Sequence, residues 1–405
     1  MVRLLILTAL VLDVPAPWPQ WGGPTRDFHV PGVTLAASWP PEGPRRVWSR
    51  ELGDGFSAIL ADAKHLYTMF RDDQANVAIA LDPASGRTIW ERRLDATPLP
   101  GMFLDYGKGP NATPLLVGER LFVVTFTGLL CALDRNTGRV LWQQELWKDH
   151  GGTFRDVGYS PSPVAYRDTV IVPVGGKGKA VFAFRQSDGV VVWQRQDFEN
   201  AMSSPLLIGV DGEEQLVAFM VDQVVGLNPA NGDLLWSHEH KTQHAVNAST
   251  PVWAGANVLV VSSAYGSGAR AIKLERKGGR TTARELWFNH RLRVHHGNMI
   301  RIGEYVYGSS GDFGPAPLTA VHVPTGRVAW QDRHFPKANL LYAAGRAIVL
   351  DEDGRLALTS LTPEGLSVHA EAQILSRLAW TVPTLVGSRL FVRDRKSIAA
   401  FDLGP

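Results

Sequence analysis

The chain has 405 residues, 45% of them hydrophobic and 20% charged, which is ordinary globular composition with ample material for a core. Its net charge of +2 gives no field to recruit nucleic acid or acidic lipid, so no nucleic-acid partner is expected. The single cysteine, Cys131, excludes an internal disulfide and a cysteine-rich metal site.

The N-terminus carries Arg3 and then an apolar run from Leu4 to Leu12. That run is too short to span a bilayer and fits the core of a secretory signal, with Val14 and Ala16 flanking a cleavage point. The expectation is a signal peptide over 1–16, an N-terminal extension over 17–45, and export to the periplasm or medium. No cysteine follows the run to accept a lipid, and no other segment reaches transmembrane length.

From Ala80 onward one pattern recurs: Ala-x-Asp-x-x-Thr-Gly-x-x-x-Trp. It runs from Ala80 to Trp90 and from Ala132 to Trp142, with looser copies from Ala183 to Trp193, Gly226 to Trp236 and Ala320 to Trp330. Another copy ends at Trp287 after an insertion, RKGGRTTA. Successive tryptophans lie 52, 51, 43, 51 and 43 residues apart, the period of a four-stranded propeller blade. In each copy the Asp or Asn bonds the turn backbone and the glycine supplies a positive φ, so the motif predicts a β-hairpin. The small residue ten places before the tryptophan leaves room for its ring. Upstream of the hairpins, segments such as ATPLLVGERLFVV (112–124) and STPVWAGANVLVV (249–261) read as strand, turn, strand, opened by a small polar residue and proline. Four strands per repeat follow, and no segment has a helical period, so the chain is all-β.

The C-terminal SIAAFDLGP begins the motif at Ala400 and Asp402 but stops before a tryptophan, whereas Trp48 near the N-terminus lacks an upstream partner. The two halves complete one blade if the first strand finishes the last sheet, leaving no open edge. With a degenerate copy placed near Val368, eight blades of about 45 residues fill 46–405. A ring closed on itself is expected to be monomeric.

This pattern resembles the tryptophan-docking motif of PQQ-type (quinoprotein-like) eight-bladed propellers over nearly the whole chain, from Trp48 to Leu403. WPQWGGPTRDFHVPG (Trp18 to Gly32) looks like a group of PQQ-like propellers of unassigned function. The resemblance implies a fold used both by PQQ-dependent alcohol dehydrogenases and by BamB, a non-catalytic scaffold of outer-membrane protein assembly. The dehydrogenases stack the quinone on a disulfide of adjacent cysteines, hold Ca²⁺ and use an aspartate base. No segment matches those motifs, and one cysteine cannot form that disulfide. The resemblance therefore points to an exported, non-catalytic scaffold with a protein partner and without a cofactor, PQQ included. The alternative is a PQQ-dependent or other oxidoreductase with its site in the central channel.

Other chemistry reads weakly. His238, His240 and His244, and the pair His295 and His296, place imidazoles two residues apart or adjacent, but no third ligand is fixed by spacing, so no metal is expected. DEDGR (Asp351 to Arg355) reads as a hairpin turn; GGKGK (Gly175 to Lys179) and DYGKGPN (Asp105 to Asn111) read as blade loops. The inner-strand starts carry Ser57, Asn111, Ser160, Ser203, Asn247, His296, Asn339 and Thr381. Around one axis they are candidates to line a channel holding a small polar ligand or ordered water.

Overall fold

The computed structural model describes residues 16–312, 314 and 316–405, so the expected signal segment lies almost wholly outside the described residues. The described strands form eight sheets and the described residues contain no helix. Blades 1 to 7 occupy residues 60–94, 115–145, 164–195, 206–239, 252–289, 294–332 and 339–373. Blade 8 joins strands Thr384–Val386, Arg389–Arg393 and Ser397–Asp402 to Arg45–Glu51, its outermost strand. The ring closes as the split motif requires: Trp48 lies across from Ala400, and Arg45 is ion-paired to Asp402 at 2.6 Å.

The repeat explains each blade locally. In blade 2, Asp134 Oδ1 accepts the backbone N–H groups of Asn136 and Thr137 and the Thr137 hydroxyl, at 3.1, 2.9 and 2.9 Å. Those bonds, led by the Thr137 hydroxyl, hold its carboxyl below the usual carboxylate range. Gly138 closes the turn at φ 69°, and a Cβ there would collide with the Trp90 ring of blade 1. Ala132 stands directly across from Trp142, as Ala80 does from Trp90, Ala183 from Trp193, Ala271 from Trp287 and Ala320 from Trp330. The small residue opposite leaves the indole free to lie over the next blade. Its N–H then donates to that blade's hairpin: Trp48 to Pro83 O, Trp90 to Arg135 O, Trp142 to Gln186 O, Trp193 to Pro229 O and Trp287 to Val323 O.

The apolar clusters consequently straddle neighbouring sheets. Trp142 meets Phe122 of its own blade at 5.8 Å and Phe184 of blade 3 at 6.4 Å. An aromatic buried on both sides in this way contributes the largest apolar area of any side chain in the seam.

The small polar residue and proline before each inner strand have a second task. Ala58 N–H donates to Thr113 Oγ1, Thr113 N–H to Ser162 Oγ and Ser162 N–H to Ser204 Oγ, at 3.1, 3.0 and 2.9 Å. Val294 N–H donates to Ser262 Oγ, Ala338 N–H to Ser309 Oγ, and Thr384 Oγ1 to Ile59 O. Proline cannot donate a backbone hydrogen bond, and the neighbouring residue does so across the blade boundary. Such bonds cross the boundaries between blades 1–2, 2–3, 3–4, 5–6, 6–7 and 8–1. Arg393 rivets the closing seam, donating from blade 8 to the carbonyls of Met69 (2.6 Å) and Ser57 (3.2 Å) in or next to blade 1. It is fully buried, and burial pulls its pKa down to about 10, so it stays charged at neutral pH.

One placement made from sequence shifts. The degenerate copy was expected near Val368, but the register sets Leu358 against Ala370 where other blades set alanine against tryptophan. Large and small have exchanged strands. Leu358 is buried, Val368 is exposed, and the blade 7–8 seam is covered instead by residues 36–43, where Ala36 N–H bonds Leu403 O and Gly43 lies on Ala372.

Candidate binding site at the channel mouth

The loops that carry the chain between blades enter the ring at one end, where the inner strands begin. Several of them bring rings together there. Phe103 meets Tyr106 at 5.8 Å, Tyr106 meets Trp380 at 6.0 Å, and Trp380 stacks on Phe56 at 5.4 Å and touches His296 at 4.4 Å. The arc continues through His295 (4.9 Å), Tyr265 (4.9 Å) and His244 (5.2 Å). Eight rings from five loops and one strand start thus form one contiguous surface.

Charged groups frame it. Trp380 Nε1 donates to Glu352 Oε2 at 3.1 Å, and Lys337 Nζ lies 3.6 Å from the same oxygen and 5.8 Å from the Trp380 ring. On the other side Arg395 makes a two-point contact with Asp54, both bonds 2.6 Å, and lies over Phe56. Beyond that pair opens a cleft of about 790 Å³ lined by Asp54, Asp72, Lys108 and Lys396 among others.

His295 and His296 are held neutral. They are hydrogen-bonded through Nδ1 atoms 3.0 Å apart, one ring donating and the other accepting. Burial, then the Lys337 ammonium, takes His295 down to about 4 against a smaller opposing pull from Asp312; burial and the neighbouring imidazole push His296 well below its ordinary range. Neutral imidazoles beside aromatic faces can stack and hydrogen-bond, but such low pKa values make weak bases at pH 7. Burial pushes the Cys131 thiol up to about 12, far from a reactive thiolate.

Of the residues singled out in the sequence, His244, His295 and His296 join this arc, and of the inner-strand candidates only His296 does. Asn111 donates to Val157 O (3.2 Å) and Ser160 Oγ (3.1 Å), and Ser203 donates to Ser249 O (3.0 Å). Asn247 donates to Met220 O and Val221 O and accepts from the Ser263 hydroxyl, and Thr381 donates to Phe56 O. These five side chains fasten loops and blades to one another. Ser57 and Asn339 are buried, and the Ser57 hydroxyl and both amide atoms of Asn339 have no hydrogen-bond partner among the described residues. The other histidines do not converge. His238 faces Glu285 at 3.8 Å, whereas His240 is buried against Ser267 and Phe219. No group of three potential metal ligands occurs among the described residues.

The largest feature that sequence reading missed lies inside the ring. Residues 18–30 fill the channel. Trp18 pairs with Ala61 of the blade 1 inner strand through two backbone bonds, and Pro19 O accepts from Leu116 N–H of blade 2. Trp21 Nε1 donates to Thr250 Oγ1 at 2.8 Å, at the start of blade 5, and Arg26 reaches Ala165 O of blade 3. The strand His29–Val30 then adds in parallel to the inner edge of blade 7, beside Tyr342 and Ala343. Residues 18–30 of the expected extension therefore lie against the inner strands, with Trp18, Phe28 and Val30 buried.

Residues 36–177 and 73–332 match the protein family described as outer membrane protein assembly factor BamB. The chain belongs to the BamB family. A BamB of Pseudomonas aeruginosa is 42% identical over 67 residues, which are 16% of this chain and 17% of that protein. A BamB of Yersinia pestis is 23% identical over 289 residues, covering 69% of this chain and 71% of that protein. The fold extends beyond the family: quinohemoprotein alcohol dehydrogenase from Comamonas testosteroni superposes with a TM-score of 0.68 at 13% identity, over 96% of this chain and 81% of that one. At that identity the likeness concerns the fold alone.

Proposed function

We propose that this BamB family member is an exported, non-catalytic scaffold that binds a protein partner in the cell envelope and serves the assembly of outer-membrane proteins, the task named for its relatives. The family match across residues 73–332 carries the reading. Two physical observations support it. Beneath the mouth the channel is filled by Trp18, Trp21 and Phe28, where a cofactor would need room. The only thiol is locked in the core of blade 2, so the cysteine platform of a quinone site does not fit this chain, and no cofactor is part of the proposal.

The surface offered to a partner is the loop end. Leu99, Phe103, Tyr106 and Phe154 are 41, 44, 53 and 42% exposed on two neighbouring loops, which are tied by Phe103 N–H to Asp156 O at 2.8 Å. Large apolar side chains clustered on an ordered surface mark a protein contact more often than a structural need. The test places a photo-crosslinking residue at Phe103 and irradiates native cell envelopes. An adduct with a component of outer-membrane protein assembly is expected. Absence of any protein adduct, together with dye-linked alcohol oxidation on adding PQQ and Ca²⁺, would replace the scaffold with the oxidoreductase reading.

A further inference from the structure

The inner strand of every blade presents one edge to its neighbouring strand and the other to the channel. That inner edge is an unpaired row of N–H and C=O groups, the chemistry by which sheets accept extended peptides. In this molecule residues 18–30 occupy it in blades 1, 2 and 7, with backbone bonds between Trp18 and Ala61, from Leu116 to Pro19 and from Tyr342 to Phe28. Aromatic anchors add to these bonds: Trp21 packs edge-on against Phe28 at 5.2 Å, and His29 against Tyr342 at 5.2 Å.

Three further observations distinguish this segment from the repeats around it. It contributes no strand to the four-stranded plan of any blade, being the fifth strand of blade 7. Its backbone is held in conformations that free chain avoids: Arg26 and Phe28 both take positive φ, 60° and 61°, around a turn in which Gly23 lies against the Trp18 ring. Its connection to the ring runs through Pro31 and Gly32, which are exposed, and nothing lies within 4 Å of where a Gly32 Cβ would stand. Backbone pairing, aromatic anchors and an exposed tether together describe a bound peptide that is covalently attached.

We propose that the central channel is a peptide-binding site, filled in cis by residues 18–30, and that its ligand class is an extended segment with two aromatic anchors spaced by proline, as in Trp18-Pro19-Gln20-Trp21. Such a segment supplied in trans, by another protein or another copy, competes for the same strand edges once the resident segment withdraws. The site is distinct from the exposed loop surface and does not rest on the scaffold reading.

The experiment uses the full chain with a specific protease site inserted after Gly32. The protein is cleaved under native conditions and mixed with a fluorescently labelled peptide of residues 16–31. Uptake is expected in the cleaved protein, with binding to the uncleaved protein weaker by roughly tenfold or more, because the tethered segment acts at high effective concentration. The same peptide with alanine at both tryptophan positions is expected not to bind. Three results would overturn the proposal. The first is a cleaved, folded protein that neither exchanges its segment nor takes up the peptide. The second is equal uptake by the uncleaved protein. The third is a ring that unfolds when the segment leaves, which would make residues 18–30 core rather than ligand. Failure of the envelope crosslink at Phe103 would leave this result unaffected, and the reverse also holds.

Discussion

The seam between blades 2 and 3 and the seam between blades 4 and 5 use the same tryptophan in opposite ways. Trp142 leans outward and donates to Gln186 O of the following hairpin, while Gly189 of that hairpin lies under its ring. Trp236 turns back over its own blade and donates to Gln215 Oε1 at 2.8 Å. The cause lies in blade 5. Its hairpin is longer by six residues, so Trp287 follows Ala271 by sixteen positions rather than ten, and the docking turn is carried away from the seam. A polar network replaces it: Gln215 Nε2 donates to Thr281 Oγ1 at 2.7 Å, and Arg276 pairs with Glu213 at 3.0 Å. One insertion thus replaces the hairpin docking of the tryptophan by side-chain hydrogen bonds at the edge of a seam that is otherwise apolar.

The contrast can be broken at its strongest point first. Trp142→Ala is expected to destabilise by about 3–5 kcal/mol, as for other buried aromatics, measured by denaturant unfolding. A loss under about 1 kcal/mol would mean that the ring does not hold the seam. Next comes the small residue across from each tryptophan. A Cβ at Gly226 would collide with Trp236 Nε1, whereas Ala132 carries its methyl beside Trp142 without conflict. Gly226→Ala is therefore expected to cost about 1–3 kcal/mol, the range for overpacking, and to shift the Trp236 fluorescence. If Gly226→Ala were neutral, the reversed indole would be refuted.

A further test is a pH dependence at the blade 4–5 seam. His240 is fully buried against Phe219 of blade 4 and Ser267 of blade 5, and its pKa is pushed by burial and then by the Arg270 and His238 charges from 6.5 to about 3. The folded protein then binds fewer protons than the unfolded chain between those values. Stability should be complete above pH 6.5 and fall as pH drops toward 3. His240→Gln is expected to flatten that slope, read as Tm against pH, and an unchanged slope would assign the acid sensitivity to other groups.

These differences also separate what the residues announce from what they conceal. The docked seams were legible because each rests on a local rule repeated in phase: an Asp or Asn turn, a glycine with positive φ, and an alanine facing a tryptophan. Ring closure through Trp48 and Ala400 followed from the same rule cut in two. Blade 7 escaped correct phasing because Leu358 and Ala370 exchange sizes between strands, and pattern matching has no memory of which strand bears the bulk. The channel mouth was hidden for another reason. Phe56, Tyr106, Lys337 and Trp380 come from separate loops with no common spacing, and only the ring's closure makes them neighbours. Residues 18–30 read as part of an N-terminal extension, and their burial depends on strand edges contributed by sequence up to 343. The polar residues at the inner-strand starts give most of their hydrogen bonds to adjacent blades.

Closure by the strand Arg45–Glu51 has a consequence in time. Its partner Ser397–Asp402 lies about 350 positions further along the chain, with Arg45 and Asp402 themselves separated by 357. At a synthesis rate of about 5–20 residues per second, the first strand is made roughly 20–70 s before the edge it will cover exists. For that interval blade 8 has no sheet to join, and the rivet Arg393 has not been made. Blades 1 to 7 can stack in order as they emerge, most of them docking a tryptophan on the next, yet the growing arc keeps both ends uncovered until the final strand arrives. The fold is thus assembled sequentially but secured all at once, and its most vulnerable form is the nearly complete chain.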